Sequence, residues 1–309
     1  MTLFSPLTLP VPAKQLRCED DTPVCWLLSQ YLLNEFQYAL LHEPGILEDR
    51  DPEYLHQYRV SLRRCRSMLA IFAVVYPPQA VTKLRQQLKV MMEPSGLLRD
   101  LDVFTDPDSH PESLSTILSE LLPVVTAKRS RVFQRFSHWI ESDEYQHITQ
   151  QIFTRFIDCA QHPTQAGLKS LHSVAAYHLE KQTRKLLKSS RRIKPGSTDE
   201  EIHKLRIGCK KLRYLNDFCR AVGITTAEQS LIEQAQLKHW QSELGKFNDT
   251  SSQLHFCLTH LSPLQTNTKT VQAVDAFVKH SREQHHASKQ QVLNNIATLV
   301  KRGTKKAAH

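Results

Sequence analysis

The sequence predicts an all-α protein, and three observations carry the prediction. Glycine occurs only eight times in 309 residues. Long runs rich in Leu, Gln, Lys and Glu favour helix over sheet. Prolines paired with short polar residues cut the chain into pieces of helical length, as proline in a first turn and proline or glycine past a last turn do.

The elements follow in order. Thr22 before Pro23 opens a first helix over 22–43, which Pro44 and Gly45 close. Asp51 before Pro52 repeats that start for a helix over 51–76, stopped by Pro77 and Pro78. Helices are expected over 79–105 and 111–140, with an extra one over 143–160, before a seam at His162, Pro163 and Thr164. The second half repeats the plan with a helix over 167–194, stopped by Pro195 and Gly196. A helix over 198–220 opens on Asp199, Glu200 and Glu201, whose charge suits the positive end of the helix dipole. Helices over 226–260, broken around Gly245 to Asn248, and over 268–301 complete it. One helical domain thus spans 22–302, in halves 22–161 and 167–302, with tails at 1–21 and 303–309.

Two stretches of this chain repeat. EYLHQYRVSLRRCRSMLAIF, residues 53–72, returns as EEIHKLRIGCKKLRYLNDFC, residues 200–219. His56, Arg59, Arg63, Arg64 and Arg66 have His203, Arg206, Lys210, Lys211 and Arg213 as counterparts 147 residues later. At helical period His56, Arg59, Arg63 and Arg66 fall within an arc of roughly 80°, in a stripe about 15 Å long. Leu55, Tyr58, Leu62, Cys65 and Leu69 form an apolar stripe beside it, as Ile202, Leu205, Cys209 and Leu212 do in the second copy. Like charges held next to buried surface repel one another, so the duplicated pattern calls for an anionic ligand. A second block repeats at an offset of 149: Leu88, Lys89, Gly96, Arg99 and Asp100 against Leu237, Lys238, Gly245, Asn248 and Asp249. Lys89 and Lys238 are second-tier ligand contacts on that ground.

The blocks HQYRVSLRRCRSML, GLLRDLDVF, HKLRIGCKKLRY and LGKFND resemble the CHAD family, the conserved-histidine α-helical domains, over roughly residues 22–302. The resemblance implies two pseudo-symmetric four-helix bundles from an internal duplication, with a basic groove or pore between them. It implies a module that binds inorganic polyphosphate, often at polyphosphate granules, and that is not an enzyme. The family's anion contacts fall on His56, Arg59, Arg63, Arg64, Arg66, His203, Arg206, Lys210, Lys211 and Arg213. Asn216 stands where many relatives have Glu, and Asn248 stands opposite Arg99 of the first half. Nothing like the triphosphate tunnel domain of many relatives precedes Thr22, so a stand-alone module is expected.

The charge balance, 40 Lys and Arg against 31 Asp and Glu for a net +9, favours acidic partners without choosing among them. Nucleic acid is the second reading, weakened because aromatics are 7% of the chain and do not interleave with the basic stripes. A metal-dependent phosphohydrolase is third, lacking a recognisable carboxylate set or Gly-rich phosphate loop. No cofactor, metal site or catalytic residue is expected. Asp100, Asp102 and Asp249 are read as orienting nearby Arg or Lys, and His285 with His286 lacks the context of a zinc motif.

Lys128, Arg131, Arg135 and His138, and separately Lys181, Arg184, Lys188 and Arg191, share the stripe spacing without a repeat partner and are read as solvated faces. Gly96 and Gly245 are read as sites of close helix approach or a helix break. Seven cysteines without CxxC spacing fit core positions in a reducing cytoplasm. No signal peptide or membrane span is expected, since the apolar run from Met68 to Tyr76 is short and ends at proline. The histidines, ringed by cations, are expected to have lowered pKa values that a bound polyanion raises.

Overall fold

The computed structural model describes residues 9–10, 16, 21–224, 234–261 and 268–306, with the backbone alone for 234–236 and 297–306. The described residues form eleven α-helices, short 3₁₀ turns and one π turn, with no strand beyond an isolated bridge between Pro23 and Ser170. The helices are α1 (Val24–Leu40), α2 (Glu43–Leu47), α3 (Pro52–Ile71), α4 (Pro78–Met92), α5 (Gly96–Thr105) and α6 (Ser115–Ile140). They continue as α7 (Asp143–Gln161), α8 (Leu171–Ser190), α9 (Asp199–Ala221), α10 (Gln234–Phe256) and α11 (Thr268–Lys306). The chain divides into two compact units built from alternating stretches: Met1–Arg99, Arg131–His178 and Tyr214–Thr225 in one, Asp100–Ser130, Leu179–Arg213 and Thr226–His309 in the other.

In the first unit α1 packs on α3, α3 on α4, α4 on α7 and α7 back on α1, a closed ring of four helices. The fourth member is therefore α7, the helix that the sequence marks as an extra. The ring closes on Leu28, Leu32, Phe36, Tyr58, Leu62, Cys65, Leu84, Leu88, Met91, Ile152 and Phe156, all without solvent exposure. Each large apolar side chain buried this way stabilises the fold by about 1.5–3 kcal/mol. In the second unit α10 packs along α11, and the buried side chains include Trp240, Leu244, Phe247, Phe277 and Val292.

Local chemistry explains the starts of both histidine helices. Asp51 accepts from the Glu53 amide at 2.7 Å and Pro52 takes the first helical position, so α3 starts as the sequence indicates. The α9 start is a capping box that the sequence reading missed: Thr198 Oγ1 accepts from the Glu201 amide at 3.3 Å, and the Glu201 carboxylate accepts from the Thr198 amide at 2.8 Å. Pro52 and Asp199, the first residues of α3 and α9, lie 147 residues apart, so the two histidine helices begin in register with the sequence repeat.

Five boundaries depart from expectation. Thr22 does not cap α1; Pro23 precedes it without a side-chain cap, and the Val24 and Cys25 amides donate to the Lys169 and Gly167 carbonyls at 2.9 and 3.1 Å. Pro44 and Gly45 lie inside α2 instead of ending a helix. The helix α3 stops at Ile71, not 76, because the chain turns inward to bury Phe72, Val75 and Tyr76; the Tyr76 hydroxyl donates to the Cys25 carbonyl at 3.0 Å. The expected helix over 79–105 is broken at Glu93–Ser95, where Pro94 has no amide to continue the ladder. In α10 the break expected around Gly245 to Asn248 is absent: without a proline the helix runs through, held by buried Trp240, Leu244 and Phe247. The part of that helix expected over 226–233 lies outside the described residues, as do most of the tail residues.

Gly96 and Gly245 have open space where a Cβ would stand, so neither marks close helix approach, although Gly96 does follow a break. Gly45 is different: a Cβ there would collide with the Tyr54 ring, so α2 reaches α3 only because position 45 has no side chain. Cys25, Cys65, Cys159, Cys209, Cys219 and Cys257 are free and buried, as core residues would be.

Candidate anion-binding site

On α3 the predicted apolar stripe is buried from Leu55 through Leu69, and the cationic side chains occupy the flanks. Arg59 is directed at the break after α4, where its Nη1 donates to the Met92 carbonyl at 3.0 Å and to Ser95 Oγ at 2.6 Å. It therefore satisfies a carbonyl that the interrupted helix leaves open. Arg63 and Arg66, half-buried, make no ion pair or hydrogen bond among the described residues, and Arg66 Nε is shut off from solvent. Burial, then the charges of Arg85 and Arg63, hold the Arg66 pKa below its ordinary value, with Glu93 opposing them. His56 is half-buried on the same stripe.

Arg64 behaves differently. It sits on the opposite flank of α3, about 80° from His56. Its Nη1 donates to both carboxylate oxygens of Glu35 on α1, at 2.7 and 2.8 Å, with side chains only 23% and 12% exposed. The guanidinium also lies 5.7 Å from the centre of the Tyr214 ring. The Arg64 pKa is raised: burial works against the charge, and Glu35 outweighs it. Of the five basic residues predicted on α3, Arg64 thus has a resident counter-ion and Arg59 a structural bond. Lys89 is exposed on α4, 3.9 Å from Glu93.

In the second unit α9 buries Ile202, Leu205, Cys209 and Leu212, again as the periodicity predicts. His203 is exposed, whereas Arg206, Lys210, Lys211 and Arg213 are half-buried beside the apolar stripe. Burial lowers the His203 pKa first, and the charges of Arg206 and Lys210 lower it further. Asp249 on α10 faces the same two cations: desolvation raises its carboxyl, while Arg206 and Lys210 pull it down. Lys238 is exposed on α10.

The other sequence features resolve as supporting structure. Asp102, almost fully buried, accepts from Arg129 Nε at 2.7 Å, an orienting carboxylate as predicted. Lys128 donates to the His260 carbonyl at 3.1 Å, while Arg131, Arg135, His138, Lys181, Arg184, Lys188 and Arg191 are exposed. His285 pairs with Asp199 Oδ2 at 2.8 Å, Lys289 reaches Asp199 Oδ1 at 2.7 Å, and the imidazole lies 5.1 Å from the Phe247 ring. Among the described residues no group of three or more His, Cys, Asp or Glu side chains could hold a metal ion. No described helix is long and apolar enough to cross a membrane.

Sequence reasoning missed Glu35, Tyr214 and Arg85. The first two carry no local signal, since they meet Arg64 only through tertiary packing. Arg85 had one: it lies four residues before Lys89, on the same face of α4.

The family model for the CHAD domain matches residues 30–258. The chain belongs to the CHAD domain family. Its fold is that of the crystal structure of the CHAD domain from the plant Ricinus communis, with a TM-score of 0.78 and 22% identity over 93% of this chain and 96% of that one. PptA from Streptomyces chartreusis is also similar in fold, with a TM-score of 0.62 and 14% identity over 90% of this chain and all of that one. No curated protein sequence matches the chain. Within this CHAD domain both histidine helices fall inside the matched residues, so the stripes on α3 and α9 belong to the family's own region.

Proposed function

We propose that this CHAD domain binds inorganic polyphosphate through the basic stripes of α3 and α9, as a binding module that does not turn the ligand over. The observation that carries the reading is on α3: Arg63 and Arg66 sit half-buried, side by side, without a bonded counter-charge. Unscreened like charges of this kind are costly in the free protein, and phosphoryl oxygens supply what they lack. The repeat of the pattern on α9 supports phosphoryl contacts on each of the two histidine helices. Arg64 and Arg59 stand behind this contact set, positioned by Glu35 and by the Met92 carbonyl. On this reading we propose a cytoplasmic protein that associates with polyphosphate granules.

Titration with polyphosphates of graded length, at two salt concentrations, tests the proposal. Affinity is expected to rise with chain length and to fall steeply with salt, because each neutralised phosphate releases a counter-ion. DNA and RNA at equal phosphate concentration should compete poorly; displacement at comparable concentration would make nucleic acid the ligand. Orthophosphate release in the presence of magnesium or manganese would show turnover and overturn the reading of a binding module.

The histidine adds a pH dependence with a definite sign. Free His203 has a lowered pKa, and a bound polyanion raises it, so the complex binds more protons than its parts. Affinity at fixed ionic strength therefore tightens as pH falls from 8 toward 6, and levels off below the lowered pKa of the free protein. His203→Gln should flatten this rise. A wild-type affinity that stays flat over that range would exclude His203 as a titrating contact.

A further inference from the structure

We infer that Arg85 of α4 completes a phosphoryl-binding subsite with Arg63 and Arg66 of α3, giving the first unit an anion contact that the second half of the sequence does not repeat. The inference rests on the polyphosphate reading above and names a contact that neither histidine block contains.

Three observations converge on this place. The helices α3 and α4 pack side by side, tied where Tyr58 and Arg59 donate to the Met91 and Met92 carbonyls at 3.3 and 3.0 Å. Arg66 sits at that seam, its Nε shut from solvent and unbonded, and the cations whose charge falls on it are Arg85 and Arg63. Arg85 itself is exposed and makes no ion pair or hydrogen bond among the described residues. One turn further along α4, Lys89 lies on the same face. The carboxylate opposing these cations at Arg66 is that of Glu93, and Lys89 approaches that same group at 3.9 Å.

Two guanidiniums from one helix and one from its neighbour supply forked donors, the chemistry that suits the tetrahedral oxygens of a phosphoryl group. Residue 234, at the repeat offset of 149 from Arg85, is Gln. On α9, moreover, Asp249 already faces Arg206 and Lys210. The two halves therefore differ in chemistry: the first has an added cation where the second has a neutral amide, and the second carries a resident carboxylate.

The test is polyphosphate binding at several salt concentrations by the full chain and its Arg85→Gln, Arg85→Lys and Lys83→Gln variants. Lys83 is exposed on the opposite face of α4 and removes the same unit of charge. The inference expects Arg85→Gln to weaken binding roughly tenfold and to reduce the slope of log affinity against log salt by about one. Arg85→Lys should restore the slope, and Lys83→Gln should leave affinity within about twofold. If Arg85→Gln and Lys83→Gln weaken binding equally, only net charge is at work and the subsite does not exist. If Arg85→Gln leaves both affinity and slope unchanged while the wild type binds, the subsite fails and the polyphosphate reading stands. A wild type that does not bind polyphosphate overturns both. Helical circular dichroism of each variant excludes loss of fold as the cause.

Discussion

Replacing Arg63 and Lys210 together with glutamate is expected to abolish polyphosphate binding, by at least about a hundredfold, while helical circular dichroism stays at the wild-type level. Arg63 makes no ion pair or hydrogen bond among the described residues, so its replacement breaks none there. Its replacement relieves part of the repulsion on Arg66. Lys210 acts with Arg206 on the other histidine helix, where both charges fall on His203 and Asp249. Each reversal changes the local charge by two, so an anion meets repulsion on both stripes where it met attraction. Isothermal titration with long-chain polyphosphate measures the loss. Unaltered binding would remove α3 and α9 from the site, whereas loss of the helical signal would assign these residues to the fold.

The second large effect concerns stability. Glu35→Ala is expected to destabilise the protein by about 3–5 kcal/mol, because it strands the Arg64 charge in a poorly hydrated place between α1 and α3. Replacing the pair by apolar residues of similar length, Glu35→Leu with Arg64→Met, should recover most of that loss, since the pair's own net contribution is small once both charges are gone. Urea unfolding of wild type, single and double variants measures both values. A single-variant loss below about 1 kcal/mol would mean that the pair is screened as a surface ion pair is. The same series separates the role of Arg64 from ligand binding: if the double variant folds and still binds polyphosphate, Arg64 acts through Glu35 and the fold.

What the sequence disclosed depended on how far the cause lay along the chain. The cap at Asp51 and the apolar stripes of α3 and α9 are local, set by neighbours within a few turns, and the structure reproduces them. The fate of Arg64 is not local, because Glu35 lies 29 residues away on another helix and no periodicity points from one to the other. The end of α3 depends on where Tyr76 finds its partners, the Cys25 carbonyl and Ser29, which again belong to α1. The break after α4 is a different case. Pro94 announced it in the sequence, and the matched Gly96 and Gly245 drew attention away, although only the first half has the proline. The choice of α7 as fourth member of the packed ring follows from contacts with α1 and α4 that no pattern within residues 143–161 encodes.

Gly45 sets a tolerance for the whole first histidine helix. Because the Tyr54 ring fills the volume above it, any bulkier amino acid would have to lever the opening turn of α3 outward. His56 lies only two positions beyond that ring. Divergence at an uncharged, chemically silent site could therefore swing the cationic face that begins at His56, without altering a single polar atom on it.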